Sequence, residues 1–264
     1  MEPLKVTVVQ VGRLSDSLDS IKELIIRLGR EAGVGDVVFL PENWLSGRPV
    51  DVSLFERVLF ELYESLGSSV AGGLQHVIDV DGVTRSVGLA VVDGSLIRVC
   101  EKLHPSKATG ERGRVRAGRF IEPFKVKGWV VGCVACVDIF YPEISRALVA
   151  RGAHILYNPA SIPDNRVELW KSTVRVRGVE SIVYSIGVNT TGNRYPDGRV
   201  TTGGSAVFSP WGKVLVSLHD QPSAATVKLD VERVEEAMER WAFREDFERY
   251  YRRLYWDLSY LEGI

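Results

Sequence analysis

Two kinds of hydrophobic pattern alternate along the chain: short runs rich in Val and Ile, and longer segments with apolar residues at helical spacing. The first run, KVTVVQV, predicts a β-strand because β-branched residues favour extended backbone. The segment DSIKELIIRLGREAG places apolar residues on one face of a helix, with Asp19 or Ser20 as the expected N-cap and Gly33 as the expected stop. This alternation is typical of proteins in which helices cover β-sheets.

The pattern continues along the chain and predicts about a dozen strands. Further helices are expected at about 54–66, from Pro142 onward and at about 167–180. So many strands exceed what one doubly wound sheet usually holds, whereas two sheets, each covered by helices on one side, accommodate them. We therefore expect an α+β protein with residues 1–264 in one domain. The other predicted strands are DVVFLPE, SVAGGLQHVIDVDG, SVGLAVVDG, LIRVCEK, WVVGCVAC, HILYNP, IVYSIGVN, GSAVFSP, KVLVSL and ATVKLDV.

Composition and charge narrow the classes of function. The 264 residues are 45% hydrophobic and 25% charged, and the net charge of -1 leaves no basic excess for binding nucleic acid. The N-terminal MEPLKVTVVQVG lacks the features of a secretory signal, and no run reaches the roughly 18 apolar residues of a membrane span. Three cysteines in such a chain do not predict a disulfide framework. We expect a cytoplasmic protein that has neither a nucleic acid nor a membrane as its partner.

The closing segment, residues 240–264, is rich in aromatic residues and arginine. It contains little Gly or Pro, which is atypical of a linker. Two interpretations remain open. The segment is either a terminal helix on the body of the protein or a subunit contact, since Tyr, Trp and Arg are enriched at interfaces.

Cys133 and Cys136 lie three residues apart in VVGCVACVDIFYPE, a spacing that raises the question of a redox or zinc pair. In an extended strand, side chains an odd number of residues apart point to opposite faces, so these two should diverge. A thioredoxin-like pair would begin a helix, which here can start only near Pro142. A zinc site would need further ligands, and the four histidines occur singly along the chain. Neither use is expected.

Cys136 is the stronger candidate for a nucleophile. It ends a predicted strand shortly before a helix, whose N-terminal dipole favours a thiolate. Cys100 and Cys133 are interpreted as small core residues, the common role of unpaired cysteines and one that is open to Cys136 as well.

A nucleophilic cysteine needs a base and a group that stabilises an oxyanion. Glu42 in FLPENW and Lys102 in RVCEKLHPS each follow a predicted strand, so a carboxylate, an ammonium group and a thiol can converge where strands end. Taken alone, each is equally an ordinary charged loop residue. His104, two residues from Lys102, offers an alternative base for a cysteine hydrolase.

Several segments together resemble the nitrilase superfamily of carbon-nitrogen hydrolases. FLPENWLSG, CEKLHP with GER shortly after it, and CVDIFYPE are similar to the segments that carry the superfamily's Glu-Lys-Cys triad. VRVRGVES resembles its Arg-x-Arg-x-x-Glu helix, and GVNTTG with TTGGSAVFSPWGKVL resembles its late strand pair. The segments follow the superfamily's order from about Leu4 to Leu229.

The resemblance implies a role for each of four residues. Glu42 would be the general base and Cys136 the nucleophile. Lys102 would stabilise the oxyanion, and Glu111 of GER would be a second glutamate that positions Lys102 and the substrate. The implied fold is a four-layer α-β-β-α sandwich of two mixed sheets, and the implied chemistry requires no metal or other cofactor. The superfamily's assembly through helical faces implies a homodimer or larger homo-oligomer, with residues 240–264 at the interface.

The residues after Cys136 indicate the amidase-type branch. True nitrilases usually have Trp-Glu at this point, whereas here Val137 and Asp138 resemble the amidase pattern. We expect hydrolysis of a small linear amide or N-carbamoyl compound through a thioester, with a nitrile as the alternative substrate. The residues expected to contact substrate or oxyanion are Val137, through its backbone N–H, Phe140 and Asn158.

Two departures from the usual amidase segments bear on the substrate. Phe140 stands where many relatives have arginine, which makes the pocket less suited to a substrate carboxylate. Arg48, in place of a common aromatic residue, could supply that charge from another side.

Overall fold

Two large β-sheets and one small sheet form the centre of the computed structural model, which describes residues 1–13, 17–247 and 249. The strands of the first sheet are β1 (Leu4–Gln10), β2 (Val37–Phe39), β3 (Val50–Asp51), β4 (Ser69–Ile78), β5 (Thr84–Val92), β6 (Ser95–Glu101) and β15 (Ser223–Leu229). They lie in the order β15-β1-β2-β4-β5-β6, with β3 beside β4. Strands β1, β2 and β4 run parallel, and the outer pairs are antiparallel, so the sheet is mixed.

The second sheet is mixed in the same way. Its strands are β7 (Phe124–Val126), β8 (Trp129–Cys133), β9 (Ile155–Ala160), β10 (Tyr184–Asn189), β13 (Ala206–Phe208) and β14 (Val214–Ser217). They lie in the order β14-β13-β10-β9-β8-β7, with β8, β9 and β10 parallel. A separate hairpin pairs β11 (Thr191–Arg194) with β12 (Val200–Thr202). The sequence did not predict β3, β7, β11 or β12.

The helices are α1 (Leu18–Glu31), α2 (Val52–Leu66), α3 (Pro142–Ala150), α4 (Val167–Ser181) and α5 (Glu232–Arg240). The predicted cap of α1 at Asp19 or Ser20 is wrong, because the hydroxyl of Ser17 accepts the hydrogen bond from the Ser20 N–H at 3.1 Å. The predicted stop at Gly33 is confirmed, since its φ of 72° is left-handed backbone that glycine adopts without strain.

Hydrophobic side chains divide the molecule into four layers. Val6 and Val8 of β1 face the space between the sheets, together with Val131 of β8. Val9 points the other way and packs with Ile25 of α1 and other residues of α1 and α2. Helices α3 and α4 pack on the outer face of the second sheet. The predicted α-β-β-α sandwich is therefore confirmed.

The predicted role of residues 240–264 at a subunit interface falls largely outside the described residues, which end at 247 and 249. That role stays a prediction. Among the helices that the structure describes, none is both long and apolar enough to cross a lipid bilayer.

Candidate active site

Glu42, Lys102 and Cys136 meet at one edge of the sandwich, just beyond the ends of β2, β6 and β8. All three residues are buried, and none of the three is more than 3% exposed. The Glu42 backbone N–H donates to the carbonyl oxygen of Ala160 at 3.3 Å and so joins the two sheets beside the site. The sequence prediction that these three residues converge where strands end is consistent with this geometry.

Lys102 lies between two carboxylates. Its Nζ atom is 2.9 Å from Glu42 Oε1 and 2.8 Å from Glu111 Oε2. Burial alone would lower the pKa of Lys102, but the charge of Cys136 when its thiol is ionised, and the charges of the two glutamates, raise that pKa well above its usual value. The ammonium group therefore stays charged, and a third N–H remains for another acceptor.

Glu111 begins a short 3-10 helix, Glu111–Gly113, in a polar loop, yet it is only 5% exposed. Its Oε2 atom also accepts a hydrogen bond of 2.7 Å from the Ser106 backbone N–H. Burial would raise the pKa of Glu111, but the Lys102 charge and these hydrogen bonds outweigh burial and lower it. Glu111 is thus an ionised carboxylate with a fixed orientation. Hydrophobic periodicity gave no signal of its burial.

Cys136 occupies a strained position in a turn. Its φ of 44° is left-handed backbone, which is rare for residues other than glycine and clusters at functional sites. The residue begins the 3-10 helix Cys136–Phe140, and α3 follows at Pro142. The predicted strand WVVGCVAC is therefore too long, because β8 ends at Cys133 and the chain turns to present Cys136 to the cavity.

The resting form of Cys136 is the thiol. Burial and the charge of Glu42 raise its pKa well above the usual value, and the opposing effect of Lys102 does not compensate. The thiolate expected from the dipole of α3 is therefore not the resting state. A base is needed to remove the proton, and the Glu42 carboxylate is the neighbouring group that can do so.

The next residues form part of the cavity wall. Val137 and Phe140 both line the cavity that contains Cys136, and Phe140 is 40% exposed at its rim. The Val137 backbone N–H makes no hydrogen bond to another backbone group in the described part of the chain. It is therefore available as an oxyanion donor.

Asn158 lies behind the turn of Cys136 and not in the cavity. Its Nδ2 atom donates to the carbonyl oxygens of Val134 at 2.6 Å and Cys136 at 3.0 Å. Its Oδ1 atom accepts from Trp170 Nε1 at 2.6 Å. The predicted contact with substrate or oxyanion is corrected accordingly, because the amide donors are already used to hold the cysteine turn.

Asp138 connects the segment after Lys102 with the segment after Cys136. Its carboxylate accepts hydrogen bonds from Leu103 N at 2.7 Å, His104 N at 3.0 Å and His104 Nδ1 at 2.9 Å. Burial raises the pKa of Asp138 despite these bonds. The aspartate of the amidase-like pattern thus joins the segment that follows Lys102 to the segment that follows Cys136.

His104, the alternative base, is committed to this structural contact. Its ring stacks on Tyr141 with centroids 3.8 Å apart and binds Asp138. It does not line the cavity that contains Cys136. The arrangement therefore does not favour a cysteine-histidine hydrolase.

His76 is a neighbour of the site that the sequence did not reveal. Its Nε2 atom lies 3.6 Å from Glu111 Oε1 and 3.3 Å from Asn43 Nδ2. Burial lowers its pKa, so the ring is neutral at physiological pH. A single histidine inside a strand carries no sequence signal. Its position depends on the pairing of β4 beside Glu42.

The cavity has a volume of about 380 Å³, which suits a small molecule. Two arginines, Arg166 and Arg199, lie in its wall, and neither was predicted. Arg166 is exposed, and Arg199 binds Asp197 at 2.7 Å. Arg48 is exposed and lies outside this wall, so its expected contribution is wrong. The lining residues are Glu42, Lys102, Ser106, Ala108, Thr109, Glu111, Cys136, Val137, Phe140, Ser161, Ile162, Pro163, Arg166, Leu169, Tyr195 and Arg199.

The described residues contain no group of three or more His, Cys, Asp or Glu side chains arranged to hold a metal ion. The wall of the cavity instead includes a thiol, two carboxylates and an ammonium group. This set can perform acyl transfer by a cysteine with acid-base assistance.

Comparison with known proteins agrees with this chemistry. The chain is 28% identical over 215 residues to a Staphylococcus aureus protein named hydrolase in agr operon, covering 77% of this chain and 82% of the relative. It is 25% identical over 230 residues to the 2-oxoglutaramate amidase of Bacillus subtilis, covering 84% and 88% respectively.

A solved structure supports the fold. A CN-hydrolase superfamily protein from Xanthomonas campestris superposes with a TM-score of 0.83 and 22% identity, covering 93% of this chain and 97% of that one. The carbon-nitrogen hydrolase family model matches residues 5–239. The chain therefore belongs to the carbon-nitrogen hydrolase family, in its amidase-type branch, whose enzymes act on carbon-nitrogen bonds other than peptide bonds.

Proposed function

We propose that this protein hydrolyses the terminal amide of a small linear molecule through a thioester on Cys136. The observation that carries the proposal is the buried bridge of Lys102 between Glu42 and Glu111, in the same cavity as the cysteine. A fixed ammonium group beside a nucleophile is suited to a negative charge that develops during the reaction.

The first half of the reaction forms the thioester. Glu42 takes the proton of Cys136, and the sulfur attacks the amide carbonyl carbon. The carbonyl oxygen becomes an oxyanion that accepts hydrogen bonds from Lys102 Nζ and the Val137 N–H. Glu42 then passes its proton to the amide nitrogen, the carbon-nitrogen bond breaks, and ammonia leaves.

The second half regenerates the enzyme. Glu42 removes a proton from a water molecule, and the resulting hydroxide attacks the thioester carbonyl in the same oxyanion site. The carbon-sulfur bond breaks, the carboxylic acid leaves, and the cysteine sulfur regains a proton from Glu42. Glu111 keeps Lys102 in place throughout and accepts a hydrogen bond from the substrate amide.

We further propose that the substrate carries a carboxylate at the end opposite its amide. Arg166 and Arg199 place two guanidinium groups in the cavity wall, and guanidinium groups bind carboxylates well. The relative named 2-oxoglutaramate amidase acts, by its name, on an amide that has such a carboxylate. These two arginines would take the place of the arginine that many relatives have at the position of Phe140.

Ammonia release from a matched pair of substrates tests both the proposed amide hydrolysis and the proposed carboxylate of the substrate. Succinamate and butanamide have the same length and the same amide, but only succinamate has a carboxylate. We expect turnover of both and a markedly higher kcat/KM for succinamate. Arg166→Gln should reduce that preference chiefly through KM, whereas Arg48→Gln should not change it. Equal kcat/KM values for the two substrates would contradict the proposal that the natural substrate carries a carboxylate.

The same assay separates the reaction classes. An N-carbamoyl compound and a nitrile of matched length should be included beside the amides. Turnover of the nitrile with no turnover of any amide would contradict the amidase proposal and favour a nitrilase.

We propose a single domain that forms a homodimer or larger homo-oligomer. Val176 of α4 is 50% exposed and Phe243 is 47% exposed on the helical side of the second sheet, where both border one cavity of about 720 Å³. Apolar side chains exposed together are common at subunit interfaces. Light scattering of the full chain should give at least twice the monomer mass of 29.4 kDa, and a monomer at micromolar concentration would contradict this statement.

A further inference from the structure

Two cysteines outside the catalytic centre lie very close together. The Sγ atoms of Cys100 in β6 and Cys133 in β8 are 2.6 Å apart, and both side chains are fully buried between the two sheets. Non-bonded heavy atoms have their optimum at about 3.5–4.0 Å, whereas a disulfide bond is about 2.05 Å long. A small movement of the two side chains would therefore bring the sulfur atoms to the length of a disulfide bond.

We propose that Cys100 and Cys133 form a disulfide bond that joins the two sheets. The electron acceptor is a small-molecule disulfide, which reaches the thiols before the sheets close over them. One thiolate attacks that disulfide and releases one small thiol, and the second cysteine displaces the other. One protein sulfur-sulfur bond forms, the bond of the small disulfide breaks, and the two cysteine protons end on the two released thiols.

The proposed bond joins the two segments that lead into the active site. Cys100 lies two residues before Lys102, and Cys133 lies three residues before Cys136. A covalent link between β6 and β8 therefore fixes the distance between the strands that immediately precede Lys102 and Cys136. Cys136 is not the expected partner, because it lines the active-site cavity, whereas the Sγ atoms of Cys100 and Cys133 already lie 2.6 Å apart.

The number of free thiols tests the proposal. The full chain is refolded with oxidised and reduced glutathione, freed of both, then denatured and alkylated with iodoacetamide without a reductant. We expect one alkylated cysteine, Cys136, and an intact mass 2 Da below that of the reduced chain before alkylation. Trypsin should release residues 99–102 linked to residues 128–146, with the alkylated Cys136 in the second peptide.

Three alkylated cysteines, or a link between Cys133 and Cys136 within residues 128–146, would overturn the proposal. The Cys136→Ala protein provides a matched control, because it should show no alkylation after oxidation and two alkylated cysteines after reduction.

Thermal unfolding provides the second measurement. Since a disulfide restricts the unfolded chain, reduction should lower the Tm of the parent protein by about 5–10 °C. The Cys100→Ala/Cys133→Ala protein should have the same Tm with and without the reductant. An equal decrease of the Tm in both proteins would show that the reductant acts elsewhere, and it would overturn the stabilising role of the disulfide.

Discussion

Glu111 and Lys102 form a buried ion pair, with Glu111 Oε2 2.8 Å from Lys102 Nζ and neither side chain more than 6% exposed. Removing two charges from water is costly, and proteins keep such pairs when further hydrogen bonds compensate or when function requires them. Here the Ser106 N–H and Glu42 supply the further contacts. The pair fixes the ammonium group where the proposed oxyanion would form.

Glu111→Gln should reduce amide turnover roughly 10²-fold, because a neutral amide holds Lys102 and the substrate less firmly and small displacements of reacting groups are costly. Alkylation of Cys136 by iodoacetamide should persist in the same protein, since the thiol and Glu42 are unchanged. The two rates measured side by side check this expectation.

Glu239 in α5 offers a matched control, because it is an exposed glutamate on the surface. Glu239→Gln should leave both rates unchanged. Parental turnover in the Glu111→Gln protein would show that Glu111 has no part in catalysis.

Lys102→Met should lose on the order of 10² to 10³ in kcat, because the charge opposite the oxyanion is removed while most of the length of the side chain is kept. The substitution also leaves two buried carboxylates without a cation, so circular dichroism must first establish that the variant is folded at the assay temperature. A folded Lys102→Met protein with near-normal activity would remove Lys102 from the mechanism.

Cys136→Ala should abolish amide hydrolysis, whereas Cys133→Ala should retain most of it in an assay at moderate temperature. Only Cys136 lines the cavity, and Cys133 lies in the core between the sheets. Ammonia release by the two purified proteins tests the difference. Equal loss in both, with folding preserved, would favour a joint role for the two cysteines.

The Glu111–Lys102 pair also predicts how stability depends on pH. The pKa of Glu111 is lowered by folding, so its contribution is present above the unfolded value of about 4.3 and is lost as the pH falls through the folded value. The pKa of Lys102 is raised, so its contribution is present below about 10.4 and is lost as the pH rises through the folded value. The pair should stabilise the fold across the interval between these limits.

Urea denaturation at a series of pH values below about 4.5 checks the acid side. The free energy of unfolding should fall more steeply on acidification in the parent protein than in Glu111→Gln, which has no proton to gain at this position. Identical slopes would mean that Glu111 does not have a lowered pKa in the folded state.

Local patterns in the sequence were sufficient to predict most of the fold. Long periodic segments such as α1 and α2 were predicted correctly because one apolar face identifies a helix. The short strands β3 and β12 were missed, since two or three residues carry no periodicity and form only where a partner strand lies alongside. The extent of β8 was overestimated because the left-handed turn at Cys136 has no signal in a valine-rich run.

The candidate site was partly predictable for a similar reason. Glu42, Lys102 and Cys136 could be proposed because the segments FLPENWLSG, CEKLHP and CVDIFYPE resemble those that carry the superfamily's triad. Their places at the ends of predicted strands were not sufficient, since each residue taken alone was equally an ordinary loop or core residue. His76, Arg166 and Arg199 could not, since their place at the site depends on how distant segments fold together around it. Asn158 was assigned a contact with substrate although its amide holds the cysteine turn, a distinction that only side-chain geometry provides.

The central claim is the thioester on Cys136, and rapid acid quenching of the parent enzyme during its first turnover of succinamate tests it most directly. Mass spectrometry should show one succinyl group on the chain, located on Cys136 within residues 128–146, and no such adduct in the Cys136→Ala protein. Succinamate hydrolysis over the same time course with Cys136 unmodified, or with the succinyl group on another residue, would contradict the claim.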